Sequence, residues 1–193
     1  MRNGRRVTLR DGSRVLIRRV RGSDAPLLAD GFSRLSAESR WMRFLGAKKG
    51  LSPAELRYLT EVDHRDHEAL GALSRADGRG VGIARYIRDA GDPQAAEVAI
   101  TVIDEWQRRG LATELLAQLS DRARDEGIRR FTALVAADNA AVTGLLRTVG
   151  ACPVRRESSR VKYEITLTPG RSATDGGSRP GAEPRAVADS AEG

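Results

Sequence analysis

The stretch Gln107-Arg108-Arg109-Gly110-Leu111-Ala112-Thr113 decides the reading of this chain because of what flanks it. Ahead of it, Ala96-Glu97-Val98-Ala99-Ile100-Thr101-Val102-Ile103 reads as a strand. Behind it, a helical segment is expected from Thr113 to about Glu126. Leu111 in the turn and Leu115, Leu119 and Ala123 beyond it recur at helical spacing opposite Glu114, Asp121 and Asp125. A strand-to-helix turn leaves the first helical amides unpaired, and the helix dipole favours negative charge there. Gly110 and Ala112 leave room for a ligand to approach the backbone. The turn is built to hold phosphate.

Working outward, the chain alternates between element types. Val7-Thr8-Leu9 and Arg14 to Val20 read as strands around an Asp11-Gly12-Ser13 turn. Ser23-Asp24 can cap a helix through Phe32, and Ala37 to Phe44 reads as a second helix. Ser52-Pro53-Ala54-Glu55 is a capping box with proline at the first helical position, opening a helix to Thr60. Glu68 to Leu73 and Val81 to Ile87 flank a glycine-bearing loop of hairpin length, 76–80, and lead to the strand before the phosphate turn. Beyond the turn, Arg130 to Ala136 is a strand and Asn139 to Val149 an amphipathic helix stopped by Gly150. Val154 and Val161 to Leu167 complete the sheet. The fold class is mixed α/β.

The 193 residues allow one domain, placed at 1–168. From Pro169 to Gly193 no aromatic residue occurs and Val187 is the only branched aliphatic one, so 169–193 is expected to be a disordered tail. The net charge of +7 comes from arginines scattered along the chain and only three lysines, Lys48, Lys49 and Lys162. With no basic arm and 4% aromatic residues, nucleic-acid binding is not expected. The single cysteine, Cys152, cannot form an internal disulfide, and no apolar run reaches membrane-span length. A cytoplasmic protein that does not engage membrane follows.

The order of strand, Gln-x-x-Gly-x-Ala turn, helix, strand and Asn-led helix resembles the GNAT superfamily of acetyl-CoA-dependent N-acetyltransferases, over roughly Val15 to Leu167. The resemblance implies a central, mostly antiparallel sheet flanked by helices, with a cofactor cleft where two neighbouring strands splay. It implies that Gln107, Arg108, Arg109, Gly110, Leu111, Ala112 and Thr113 hold the pyrophosphate of acetyl-CoA. By the same resemblance, Ile100, Thr101 and Val102 offer backbone groups to the pantetheine and thioester, and Asn139 lies beside the pantetheine arm.

A narrower similarity lies in Ser36-Ala37-Glu38-Ser39-Arg40-Trp41-Met42-Arg43-Phe44, Leu51 to Leu56, Val62 to His67 and Ala96 to Ala99. These look like the acetyltransferase domain of bacterial protein-lysine acetyltransferases that modify acyl-CoA synthetases. The acceptor amine is therefore expected on a protein, such as an acyl-CoA synthetase. A small-molecule amine acetyltransferase and a non-catalytic acyl-CoA-binding sensor are the alternatives.

Transfer to a lysine, whose reference pKa is about 10.4, requires a proton acceptor. Glu97 shares a strand face with the small Ala99 and Thr101, and it matches the glutamate proposed as base in the similar enzymes. The alternative is a solvated strand glutamate paired with an arginine. Many relatives carry a tyrosine general acid where this chain has Leu146, so no general acid is assigned. His64 and His67 lack a third ligand and read as structural, with no metal expected. Cys152 reads as a small buried residue, and Trp41, Met42 and Phe44 as core or cleft wall.

Overall fold

In the computed structural model, which describes residues 4–44, 46 and 48–167, alternating burial lays eight strands into one sheet. The expected tail, 169–193, lies outside the described residues. β1 (Arg5–Thr8) and β2 (Arg14–Arg19) form a hairpin closed by Asp11, which accepts hydrogen bonds from the amide of Ser13 (3.0 Å) and its hydroxyl (2.8 Å). β3 (His67–Ser74), β4 (Gly80–Arg88) and β5 (Ala95–Val102) extend the meander. β6 (Arg130–Ala136), β7 (Cys152–Glu157) and β8 (Arg160–Thr166) complete the order β1-β2-β3-β4-β5-β6-β8-β7.

Neighbouring strands pair antiparallel except β5 and β6, which are parallel. The exception follows from the chain between them. A parallel neighbour needs a crossover, and α4 (Leu111–Asp125) supplies it. The mixed α/β architecture with a mostly antiparallel sheet is the one expected from the sequence.

α1 (Ala25–Ser33), α2 (Ala37–Phe44) and α3 (Pro53–Thr60) cover one face of the sheet. The capping box of α3 forms as read: the Glu55 amide donates to Ser52 Oγ (3.3 Å) and the Ser52 amide to the Glu55 carboxylate (2.8 Å). Asp24 behaves differently from its expected capping role. Its carboxylate instead takes two bonds from Arg18, each 2.7 Å, and one from the Arg21 amide at 2.8 Å. A bidentate guanidinium outcompetes the helix amides.

α4 covers the opposite face, with Leu115, Leu119 and Ala123 fully buried against β3, β4 and β5. Helix α5 (Ala140–Thr148) adds Val142 and Leu146 to the same core. α4 opens at Leu111, earlier than the expected Thr113, because Gly110 takes a left-handed conformation and caps it there. Close approach of α4 depends on Gly82 of β4. A Cβ there would meet Leu111 Cδ2 at 3.2 Å and Leu115 Cδ1 at 3.3 Å.

Candidate active site

The ladder between β5 and β6 is short. It runs Ala95↔Arg130, Ala96↔Phe131 and Glu97↔Thr132 and ends, although β5 stays paired to β4 as far as Val102 and β6 to β8 as far as Ala136. The two strands therefore part beyond Glu97. Bonds at both ends of the β4–β5 ladder, Ile103 N to Val81 O (3.2 Å) and Asp89 N to Ala95 O (2.9 Å), fix its parity. Odd residues of β5 bond β4, so the main-chain groups of Val98, Ile100 and Val102 turn toward the gap.

This parity sorts the expected contacts. Ile100 and Val102 present main-chain groups to the gap, joined by Val98, which the sequence reading did not include. Gln107 Nε2 takes up the Val102 carbonyl at 3.2 Å and reaches Ser39 Oγ of α2 at 3.3 Å. Thr101 pairs its backbone with Ile83 and turns its side chain to the face under α1–α3, where it lines a cavity.

In the turn itself, positive φ angles at Arg108 (60°) and Gly110 (87°) flank Arg109, a pattern that turns successive amides into one concavity. The first internal bond of α4 runs from Glu114 N to Gly110 O at 3.1 Å. Among the described residues, the amides of Arg108, Arg109, Gly110, Leu111, Ala112 and Thr113 have no protein acceptor. The Arg109 side chain points elsewhere. It donates to Asp11 (2.8 Å), Ser13 Oγ (3.1 Å) and Glu105 O (2.6 Å), and its guanidinium lies 5.0 Å from the Trp106 ring centroid.

The Arg10 amide also donates to the Arg109 carbonyl (3.3 Å), so the β1–β2 hairpin clamps the turn from outside. The Ser13 hydroxyl and amide, with the Arg109 charge, hold the Asp11 carboxyl below its ordinary range. Asp11 therefore stays ionised for this clamp at neutral pH.

Glu97 sits at the apex of the gap, exposed, on the face that carries Ala99 and Thr101. Among the described residues its carboxylate has no hydrogen-bond donor and no cation within 4.0 Å. It is not the arginine-paired surface glutamate that was the alternative reading. Half-buried Arg43 of α2 lies close enough to feel its charge: burial lowers the Arg43 pKa and Glu97 opposes that shift.

Arg85 of β4 is 5% exposed on the same face, donating to Leu59 O (3.1 Å) and contacting His67 Nε2 (3.1 Å). Burial, then the nearby Arg43 charge, pushes its pKa down to about 10, so it remains a cation at neutral pH. The sequence reading missed both arginines as site groups. The available signal was a guanidinium in the middle of the otherwise apolar strand Val81-Gly82-Ile83-Ala84-Arg85-Tyr86-Ile87.

At the far side of the gap, Asn139 caps α5 by accepting the Val142 amide at 3.0 Å. Its side-chain nitrogen is left for other partners.

A family model described as "Acetyltransferase (GNAT) domain" matches residues 14–151, which span the whole splayed-strand unit and the turn beside it. The chain belongs to the GNAT acetyltransferase family. Members use acetyl-CoA as cosubstrate. The chain is 38% identical over 164 residues to acetyltransferase PA5475 of Pseudomonas aeruginosa, covering 83% of this chain and 88% of that protein. It is 33% identical over 163 residues to acetyltransferase Pat of Mycolicibacterium smegmatis, covering 84% of this chain and 49% of Pat. This chain thus spans about half of the Pat protein. The solved GNAT domain of S. lividans PAT superposes with a TM-score of 0.80 at 32% identity, covering 84% of this chain and 96% of that one.

Within this GNAT fold, Leu146 is 3% exposed and packed in the core. The two histidines part ways. His64 Nδ1 contacts Glu68, a fully buried carboxylate also bonded by Arg19 and Arg122, while His67 contacts Arg85 on the other face. Among the described residues no cluster of three His, Cys, Asp or Glu side chains could hold a metal ion. Cys152 is exposed, correcting the expectation of a buried thiol: it opens β7, the outer edge strand, whose residues are all solvent-facing.

Proposed function

We propose that this GNAT enzyme passes the acetyl group of acetyl-CoA directly to an amine on a protein, a lysine side chain, in the cytoplasm. The observation that carries the reading is the parting of β5 and β6 directly beyond Glu97, with a row of unpaired amides at the mouth of the gap. No helix among the described residues is long and apolar enough to cross a membrane. Lysine as acceptor rests on the similarity to Pat and to the S. lividans PAT domain.

In this mechanism the amides from Arg108 to Thr113 and the dipole of α4 hold the diphosphate of the cosubstrate. Val98 and Ile100 amides bond the arm that lies in the gap, and Asn139 Nδ2 meets it from the β6 side. An amide aimed at the thioester oxygen stabilises the tetrahedral intermediate, an effect worth about 3–4 kcal/mol in well-studied cases. Glu97 takes a proton from the ammonium group, directly or through one water, and the free amine attacks the carbonyl carbon. The carbon–sulfur bond breaks, the electron pair leaves with sulfur, and the nitrogen, cationic after attack, gives its extra proton to solvent. With Leu146 apolar and buried, solvent protonates the thiolate, whose reference pKa of about 8.5 makes it a fair leaving group.

Gly110→Val tests the cradle. Gly110 has φ +87°, and a Cβ would come 3.4–3.6 Å from the Arg10 side chain, so valine must rotate the turn and disperse its amides. Calorimetry is expected to show at least tenfold weaker acetyl-CoA binding; unchanged affinity would overturn the cradle. Release of CoA with lysine peptides but not with free polyamines or antibiotics supports the protein acceptor, and the reverse pattern selects the small-molecule alternative.

A further inference from the structure

A cavity of about 100 Å³ lies between the sheet and the layer of α1, α2 and α3. Its walls are mostly apolar: Leu27, Leu28 and Phe32 of α1, Leu35 just after it, Phe44 of α2 and Ile83 of β4. Four charged side chains also line it, namely Arg18, Asp24, Arg43 and Arg85. Arg18 and Asp24 neutralise each other through their paired 2.7 Å bonds. Arg43 and Arg85 have no such ion pair: Arg85 is held by the Leu59 carbonyl, and Arg43 feels only the more distant charge of Glu97. Among the described residues no carboxylate lies within 4.0 Å of either guanidinium, and Arg85 is 5% exposed. Its contact with His67 brings no charge, because that ring is pulled down to about 4, by burial and then by Arg85 itself, and is neutral.

Two like charges in an apolar recess repel each other and lose hydration, a cost that an anion between them would reverse. The position of the recess limits what that anion belongs to. Arg85 pairs across the ladder with Ala99, and Thr101 forms part of the wall, so the recess opens on the sheet face that carries Glu97. The volume admits a carboxylate with a short methylene stem, and guanidinium is the side chain whose fork matches a carboxylate.

We propose that this cavity is a carboxylate-binding subsite, in which Arg43 and Arg85 hold the acid group of a substrate reacting beside Glu97. The inference rests on the acyltransferase reading of the cleft. The carboxylate has two chemical sources: the far end of a dicarboxylic acyl group on CoA, or an acid group carried by the amine acceptor.

Two matched pairs distinguish the sources. Succinyl-CoA against butyryl-CoA, with one common acceptor, reports on the donor; free lysine against lysinamide, with acetyl-CoA, reports on the acceptor. In one pair the carboxylate-bearing member is expected to show at least tenfold higher kcat/KM. Arg43→Gln is expected to bring that ratio within twofold of unity, Arg43→Lys to restore part of it, and CoA affinity by calorimetry to stay unchanged. A turnover-independent arm compares melting temperatures in succinate, succinamide and chloride. Succinate alone is expected to stabilise the unmodified protein, and to lose that effect in Arg43→Gln.

Absence of a preference in both pairs overturns the proposal, as does a preference that Arg43→Gln leaves intact, or equal stabilisation by succinate and succinamide or by succinate and chloride. Failure of the unmodified protein to bind CoA would instead remove the acyltransferase reading, with the melting comparison still deciding the subsite.

Discussion

Replacing Glu97 with glutamine separates chemistry from folding, because the structure gives the two effects very different sizes. The carboxylate is exposed, and among the described residues it has neither a hydrogen-bond donor nor a cation within 4.0 Å. A near-isosteric amide at such a position changes stability by no more than about 0.5 kcal/mol. Losing the attraction felt by Arg43 falls inside that margin, since the Glu97 end of the pair is exposed and screened by solvent. A positioned general base, by contrast, contributes about 10²–10⁴ in rate. At 1.36 kcal/mol per factor of ten this is about 2.7–5.4 kcal/mol of activation free energy.

The assay is thiol release from saturating acetyl-CoA with a lysine peptide, read beside a thermal melt and a CoA titration. Glu97→Gln is expected to lower kcat at least 100-fold, move the melting temperature by no more than about 2 °C, and keep CoA affinity within twofold. The residual rate should rise with pH as the free-amine fraction of lysine grows toward its pKa of about 10.4. Turnover within tenfold of the unmodified enzyme would refute Glu97 as the base.

Gly82→Ala places a methyl group 3.2–3.3 Å from Leu111, Leu115 and the Thr101 carbonyl. It is expected to cost about 1–3 kcal/mol as overpacking and to weaken CoA binding as Leu111 retreats with its amides; a melting temperature equal to that of the unmodified protein would refute this. His67, neutral in the fold down to about pH 4 but titrating near 6.5 when unfolded, makes the folded state lose stability as pH falls through that window. The loss reaches up to about 3 kcal/mol, less what solvent screens at this half-buried ring. His67→Gln should flatten the melting-temperature slope between pH 6.5 and 4, and an unchanged slope would remove His67 as its source.

Local signals in the sequence carried most of the fold. Ser52 and Glu55 satisfy each other across one helical turn, so their box is legible without tertiary knowledge, and the β6 bounds, Arg130–Ala136, are those the local sequence indicates. What escaped was decided by partners distant in sequence. Asp24 has the chemistry of a helix cap but is claimed by Arg18 from β2. Cys152 is small and apolar enough for a core, yet β7 falls at the sheet edge, a consequence of strand order that no local pattern contains. The role expected of Arg109 rests on its amide; that its guanidinium is spent on a hairpin some hundred positions earlier in the chain is what no local pattern shows. Arg85 stands out in sequence only as a guanidinium in an apolar strand, and Arg43 not at all, until the fold puts both beside one cavity.

The candidate site was legible to the extent that it depends on β5 alone, and the reason lies in strand geometry. Along a strand, the direction of the main-chain groups and the face of the side chain alternate together. Odd residues of β5 therefore bond β4 while turning Glu97, Ala99 and Thr101 toward the α1–α3 face. Even residues turn Val98, Ile100 and Val102 side chains into the α4 core while leaving their main-chain groups on the gap. A one-residue slip would exchange both properties at once, burying the Glu97 carboxylate under α4 and closing the gap-facing amides onto β4. The burial of Val98 and Val102 opposes such a slip, so the same apolar contacts that hold α4 to the sheet also keep the proposed base and the proposed donor amides in register.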